Sequence, residues 1–206
     1  MPIKVKICGI THYEDAKTAI SLGVDALGFI FYPKSPRYIH PLQAREIIKR
    51  LPPFVSRVGV FVDDNAAAIT TIARQTGIDT VQLHGSETPS ICAELPFTLI
   101  KAFSVGPDFD VSVLDNYPVN AYLLDTWSDT LKGGSGRTFD WSIAKSAAQY
   151  HHNIILAGGL GPTNIAEALE TVQPYAVEFN SGVEIKPGIK NPRKMRDAVA
   201  VVKSWK

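Results

Sequence analysis

Strand-like apolar runs alternate with helix-like segments along all 206 residues, and this rhythm leaves few folds open. The stretch Ile3 to Thr11 reads as a strand in which Ile3, Val5 and Ile7 alternate with Lys4, Lys6 and Cys8, the period-two pattern of two unlike faces. A helix is expected over Thr11 to Leu22, with Thr11 as its cap and Gly23 as its stop. Further strands are expected over Asp25–Phe31, Ser56–Val62, Thr80–Leu83, Phe97–Phe103, Ala121–Asp125, Asn153–Ala157 and Tyr175–Phe179. Helices are expected over Pro41–Leu51, Asn65–Gln75, Thr88–Glu94, Asp140–Tyr150, Pro162–Val172 and Pro192–Trp205, with a short weak helix over Asp110–Asn116. Such strand-then-helix units, repeated eight times, imply parallel strands with helical crossovers, closed into a (β/α)8 TIM barrel. The length is at the lower end for that barrel and leaves no room for an accessory domain, so residues 1–206 read as a single domain. An open doubly wound sheet is the competing arrangement.

Composition narrows the setting. The formal net charge is +1, so no broad basic field for nucleic acid is expected. The two cysteines, Cys8 and Cys92, do not suggest a disulfide scaffold, which favours a reducing, cytoplasmic compartment. Lys4 and Lys6 interrupt the early apolar run, so no cleavable signal is expected there, and no apolar stretch approaches a membrane span. The spacing of His, Cys, Asp and Glu resembles no metal site.

In a barrel, chemistry sits at the carboxyl ends of the strands. Cys8 ends the first strand on the face it shares with Lys4 and Lys6. A lysine ammonium in the interior favours a nearby thiolate, while desolvation opposes it, and a thiolate can act as nucleophile or as base. Asp125 ends the sixth strand on the inward face with Leu123, opposite Cys8 across the mouth. Half-burial there favours the protonated carboxyl that a general acid requires. Gly158-Gly159 and Ser181-Gly182 close the seventh and eighth strands with exposed backbone N–H groups, and a short helical turn around Ser181–Glu184 could add its N-terminus, as a phosphate site of this fold would need. Arg37, in a loop stiffened by Pro33 and Pro36, could clamp a substrate carboxylate bidentately. His84 reads as a structural, hydrogen-bonded histidine and Cys92 as helix packing. Gly133-Gly134-Ser135-Gly136 reads as a lid over the substrate.

Taken together, these residues resemble the phosphoribosylanthranilate isomerase family of tryptophan biosynthesis. The resemblance runs through Lys6-Ile7-Cys8-Gly9-Ile10-Thr11, Ala26 to Phe31, Pro33-Lys34-Ser35-Pro36-Arg37-Tyr38, Val60-Phe61-Val62 and Gln82-Leu83-His84-Gly85. It continues through Gly133 to Gly136, Leu156 to Leu160 and Ser181-Gly182-Val183-Glu184, so it covers essentially the whole chain. It implies a metal-free and cofactor-free (β/α)8 barrel that carries out an Amadori rearrangement of a phosphosugar. It places the general base on Cys8, the general acid on Asp125, the anthranilate contact on Arg37 and the phosphate loops on Gly158, Gly159, Ser181 and Gly182. The family's eighth strand usually reads Asp-Val-Ser-Ser-Gly-Val-Glu, whereas this chain has Glu178-Phe179-Asn180-Ser181-Gly182-Val183-Glu184. Glu178 is expected to pair with Lys6, because the first and eighth strands are neighbours in a closed barrel and a buried lysine needs a partner.

Two other readings fit parts of the pattern. Another phosphosugar barrel enzyme would use two carboxylates, or lysines at the strand mouths, whereas a cysteine ends the first strand here and Lys101 lies short of the end of its strand. A non-catalytic barrel that binds a phosphorylated ligand or a protein would explain the phosphate loops but not the opposed thiol and carboxyl. Neither reading fixes the oligomeric state, monomer or homodimer.

Overall fold

The computed structural model describes residues 2–126 and 140–205. Its strands β1 (Lys4–Ile7), β2 (Ala26–Ile30), β3 (Ser56–Phe61), β4 (Thr80–Leu83), β5 (Thr98–Val105), β6 (Ala121–Thr126), β7 (Ile154–Leu156) and β8 (Ala176–Phe179) close into a barrel in sequential order. Every neighbouring pair is parallel, and β1 meets β8 with Lys6 opposite Glu178. The expected TIM barrel is therefore the fold, and the open sheet is excluded by the β1–β8 pairing.

The crossovers are α1 (Tyr13–Ser21), α2 (Pro41–Ile48), α3 (Ala66–Thr76), α4 (Pro89–Glu94), a 3-10 helix over Val111–Asn116, α5 (Trp141–Tyr150), α6 (Ile165–Val172) and α7 (Pro192–Ser204). Local chemistry sets several of their ends. Asn65 accepts from the Ala68 N–H at the start of α3, and Gly77 takes the left-handed conformation that ends it. Asn191 accepts from the Arg193 and Lys194 N–H groups, and Pro192 fills the first helical position of α7. The first helix departs from expectation. Its N-cap is His12, not Thr11, because the Thr11 hydroxyl is engaged by the carbonyl oxygen of Gly188 instead. Gly188 belongs to a hairpin that the alternation of strands and helices does not reveal, β9 (Glu184–Lys186) and β10 (Ile189–Lys190), which follows a 3-10 turn at Ser181–Val183.

The alternation of each strand divides the core in two. Outward residues such as Val5, Leu27, Phe29, Phe61, Leu83, Leu124 and Val177 pack under the helices in one continuous cluster. Inward residues Val58, Ile100, Ala102, Ala121, Leu123, Ile155, Ala157 and Ala176 fill the lower barrel. Four of those eight are alanines, and above this layer the interior turns polar, with Lys6, Gln82 and Glu178 all buried. Among the described residues no helix is long and apolar enough to cross a membrane.

Candidate active site at the carboxyl ends of the strands

A cavity of about 310 Å³ opens at the carboxyl ends of the strands. Cys8, Arg37, Asp125, Gly158, Gly159 and Ser181 all line it, so six of the seven site residues read from the sequence come together there. The seventh, Gly182, lies just behind the wall: a Cβ on it would collide with the carbonyl oxygen of Leu160. Its bare backbone is what lets the loop after β8 lie flat against the loop after β7. Gly158 sits at φ 85°, a left-handed conformation, with Thr126 packed against the face a side chain would occupy. The Gly133–Gly136 motif lies outside the described residues.

Cys8 follows β1 and is buried, yet its side chain faces the cavity beside Ile30 and Val60. The seat for its sulfur is Gly28 on the neighbouring strand, where an added Cβ would lie 2.7 Å from Sγ. Below it Lys6 is paired with Glu178, as expected, and donates also to Gln82 Oε1 at 2.7 Å. Burial opposes the Lys6 ammonium, but Cys8 and Glu178 around it outweigh that and hold its pKa above the usual lysine value. Burial also pushes the Cys8 thiol up to about 11, with Glu178 adding to the rise and Lys6 and Lys190 opposing it. In the contest between desolvation and the lysines, desolvation prevails, and the resting sulfur is a thiol.

Asp125 stands on β6 with one carboxylate oxygen, Oδ1, held by the Thr126 N–H at 2.8 Å. Oδ2 lies 3.4 Å from His84 Nε2. That separation falls outside hydrogen-bond geometry, and among the described residues the buried Nε2 has no hydrogen-bond partner. His84 Nδ1 lies 3.0 Å from Gln82 Nε2, so half of the expected structural histidine is present and half is not.

Arg37 is buried at the cavity wall, and most of its side-on fork is already engaged. Its Nε bonds both oxygens of Glu184, at 3.0 and 3.1 Å, and its Nη2 bonds Oε2 at 2.8 Å. Lys190 approaches Glu184 Oε1 at 2.8 Å and Asn180 Oδ1 at 3.0 Å. The Glu184 carboxyl is buried, which would raise its pKa, but Arg37 and Lys190 together draw it below the usual carboxylate range. A bidentate clamp by Arg37 therefore has to use the end of the guanidinium, Nη1 with the second Nη2 hydrogen, rather than its Nε side. Asn180, one of the departures from the family's eighth strand, serves here as an acceptor for Lys190.

Several contributors were not singled out by sequence reasoning. Gln82 accepts from Lys6 and lies against His84, Glu184 accepts from Arg37, and Lys190 donates to Asn180. Gln82 carried a usable signal, since Thr80, Gln82 and His84 share the inward phase of β4; the contacts of Glu184 and Lys190 depend on the hairpin and had none. Lys101 points outward from β5 to Glu87 at 3.0 Å, away from the mouth.

Known proteins share the sequence pattern and the fold of this chain. Residues 5–201 match the family described as N-(5'-phosphoribosyl)anthranilate (PRA) isomerase. The chain belongs to that family. The N-(5'-phosphoribosyl)anthranilate isomerase of Pelobacter propionicus is 48% identical over 201 residues, covering 98% of this chain and 96% of the relative. A crystal structure of the phosphoribosyl anthranilate isomerase from Thermotoga maritima superposes with a TM-score of 0.92 at 41% identity, covering 98% of this chain and all of the other. A further structure of a phosphoribosyl anthranilate isomerase, at TM-score 0.89 and 40% identity, covers the same share of both chains. It holds reduced 1-(o-carboxyphenylamino)-1-deoxyribulose 5-phosphate.

Proposed function

We propose that this chain is an isomerase of tryptophan biosynthesis that converts N-(5-phosphoribosyl)anthranilate to 1-(2-carboxyphenylamino)-1-deoxyribulose 5-phosphate. The observation that carries this reading is the shared cavity: a thiol and a carboxyl on different strands of one barrel mouth, beside two glycine loops. The reaction opens an aminoaldose and moves a hydrogen between neighbouring carbons. Asp125 delivers its proton to the furanose ring oxygen as the C1′–O bond breaks, with the anthranilate nitrogen pushing electrons to form an iminium. The C2′ hydrogen, acidified by that iminium, passes to the Cys8 thiolate. The enolamine then tautomerises to the ketone. The nitrogen supplies the electron push within the substrate itself.

The thiol's high resting pKa sets a condition on this scheme. The thiol proton therefore leaves to solvent through the open mouth of the cavity before the C2′ hydrogen is taken; the iminium, a cation next to the sulfur, favours that loss at the step that needs it, and Lys6 adds to that field. Gly158, Gly159, Ser181 and Gly182 would hold the phosphate through backbone N–H groups. The free end of Arg37 would hold the anthranilate carboxylate. General acid and base steps contribute roughly 10²–10⁴-fold each, and a phosphate anchor adds positioning. Residues 1–206 act as one catalytic domain on a small phosphosugar. The net charge of +1 supports no nucleic-acid partner, and two buried free thiols support a cytoplasmic setting.

A fluorescence assay with freshly made phosphoribosylanthranilate tests the reading. Loss of the anthranilate fluorescence with formation of the ketose phosphate is expected. Binding without turnover would favour a non-catalytic barrel, and turnover of a different phosphosugar alone would favour another isomerase.

A further inference from the structure

A line of polar side chains, buried except for the half-buried His84, crosses the barrel from the Cys8 side to the Asp125 side. Glu178 accepts from Lys6, and Lys6 donates onward to Gln82 Oε1 at 2.7 Å. Gln82 Nε2 lies 3.0 Å from His84 Nδ1, and His84 Nε2 lies 3.4 Å from Asp125 Oδ2. Gln82 is fully buried and Lys6 is 3% exposed, so water does not interrupt the line there.

The order of donors fixes where each proton sits. A lysine ammonium paired with a carboxylate only donates, so Gln82 turns its carbonyl oxygen toward Lys6. The amide nitrogen of Gln82, which also only donates, is then the atom on His84 Nδ1. Nδ1 therefore accepts, and the single ring proton of a neutral imidazole sits on Nε2. That N–H is a buried group with no hydrogen-bond partner among the described residues, and it lies 3.4 Å from Asp125 Oδ2, the carboxylate oxygen that the Thr126 N–H does not hold.

We propose that Lys6 and Gln82 lock His84 in its Nε2–H tautomer, and that His84 so locked is a positioning residue for proton delivery by Asp125. The proposal rests on Asp125 being the general acid. With Oδ1 held by the Thr126 N–H, the transferable proton belongs to Oδ2. The locked imidazole presents no lone pair there, so it cannot accept that proton or compete with the substrate for it. The proton passes from Oδ2 to the ring oxygen, the C1′–O bonding pair moves onto that oxygen, and His84 keeps its own proton throughout. The carboxylate left behind is then the acceptor that Nε2–H lacks in the resting site, and a small approach closes the 3.4 Å gap. In the opposite tautomer the Nε2 lone pair would bind the acid proton and hold it back.

The test is a long-range ¹⁵N–¹H NMR correlation on the full chain labelled at histidine, with the His84 signals assigned by their loss in His84→Gln. In the wild type we expect Nε2 protonated and Nδ1 bare. In Gln82→Glu the new carboxylate accepts from the ring, so Nδ1 becomes protonated, and kcat falls by roughly 10- to 100-fold with KM little changed. His84→Leu should show the same loss of kcat, while His84→Gln, which can bring an amide N–H toward Asp125, should recover most of it. A protonated Nδ1 in the wild type, or a wild-type kcat in His84→Leu, overturns the proposal. Asp125→Asn separates the two levels: wild-type turnover there sinks the acid assignment itself, whereas an inactive Asp125→Asn beside an unaffected His84→Leu sinks only the role of His84. Should Gln82→Glu fail to fold, the wild-type tautomer and the two His84 variants decide the matter.

Discussion

Lys6 and Glu178 sit directly opposite one another on β1 and β8, in register, and join head to head inside the barrel. Both are at most 6% exposed, so each depends on the other for its charge. Replacing Glu178 by Leu strands the ammonium, and a loss of about 3–5 kcal/mol in unfolding free energy is expected by denaturant titration. Lys6→Met with Glu178→Leu together should restore much of that stability, because two well-packed apolar groups avoid the desolvation cost.

Glu178 also raises the Cys8 pKa. In Glu178→Gln the carboxylate is gone and the amide can still meet Lys6, so the thiol should ionise below about 11. Ultraviolet thiolate absorbance followed against pH, with Cys8→Ser as the blank, reads this shift. An unchanged or higher midpoint would show that the carboxylate does not act on the sulfur.

The buried thiol also sets a pH dependence of stability. Cys8 is an acid whose pKa is about 11 folded against 9.0 for the free group. The unfolded chain releases the proton first, so folding is penalised progressively as pH rises from 9.0 to about 11 and is unaffected below that window. The full penalty is about 3 kcal/mol, at about 1.4 kcal/mol per pH unit. Wild-type and Cys8→Ala stabilities should run parallel at neutral pH and separate above it, with the wild type falling faster.

Cys8→Ser and Asp125→Asn should each lower kcat by roughly 10²–10⁴-fold while leaving the far-ultraviolet circular dichroism and the melting temperature nearly unchanged. A hydroxyl is a far weaker base than a thiolate, and an amide carries no transferable acid proton. Either variant turning over at the wild-type rate would remove its residue from the chemistry.

Gly182→Ala should act through the substrate's phosphate. The added methyl group meets the Leu160 carbonyl and forces the two glycine loops apart. KM for the phosphorylated substrate should rise by about 10-fold or more, and competitive inhibition by inorganic phosphate should weaken in parallel. A change in kcat alone would argue that these loops do not hold the phosphate.

What could be read from the chain and what could not divides along a physical line. The alternation of Lys4, Lys6 and Cys8 with Val5 and Ile7 assigns each side chain to one face, and closure of the barrel then makes strands one and eight neighbours; the Lys6–Glu178 pair follows from those two facts. Arg37 was legible as a cation near the mouth, but the carboxylate that holds it is Glu184, on a hairpin that periodicity does not reveal. Thr11 has the chemistry of a helix cap, yet the same hairpin draws its hydroxyl to Gly188. The state of Cys8 was a balance of opposing effects, and only the packed cavity decides it in favour of the thiol. His84 reads as a structural, hydrogen-bonded histidine from its inward place on the strand; the Gln82 contact is local, while the other side of its ring depends on where Asp125 comes to rest.

The sulfur of Cys8 rests where Gly28 has no side chain. Its placement is thus shared between two strands: one supplies the reactive atom and the other supplies the gap it fills. Any substitution at position 28 would evict the thiol from its niche without touching a single group that reacts. A mutational survey of this enzyme should therefore find position 28 as intolerant as position 8, and a designer moving the reactive atom elsewhere in the barrel would have to relocate both.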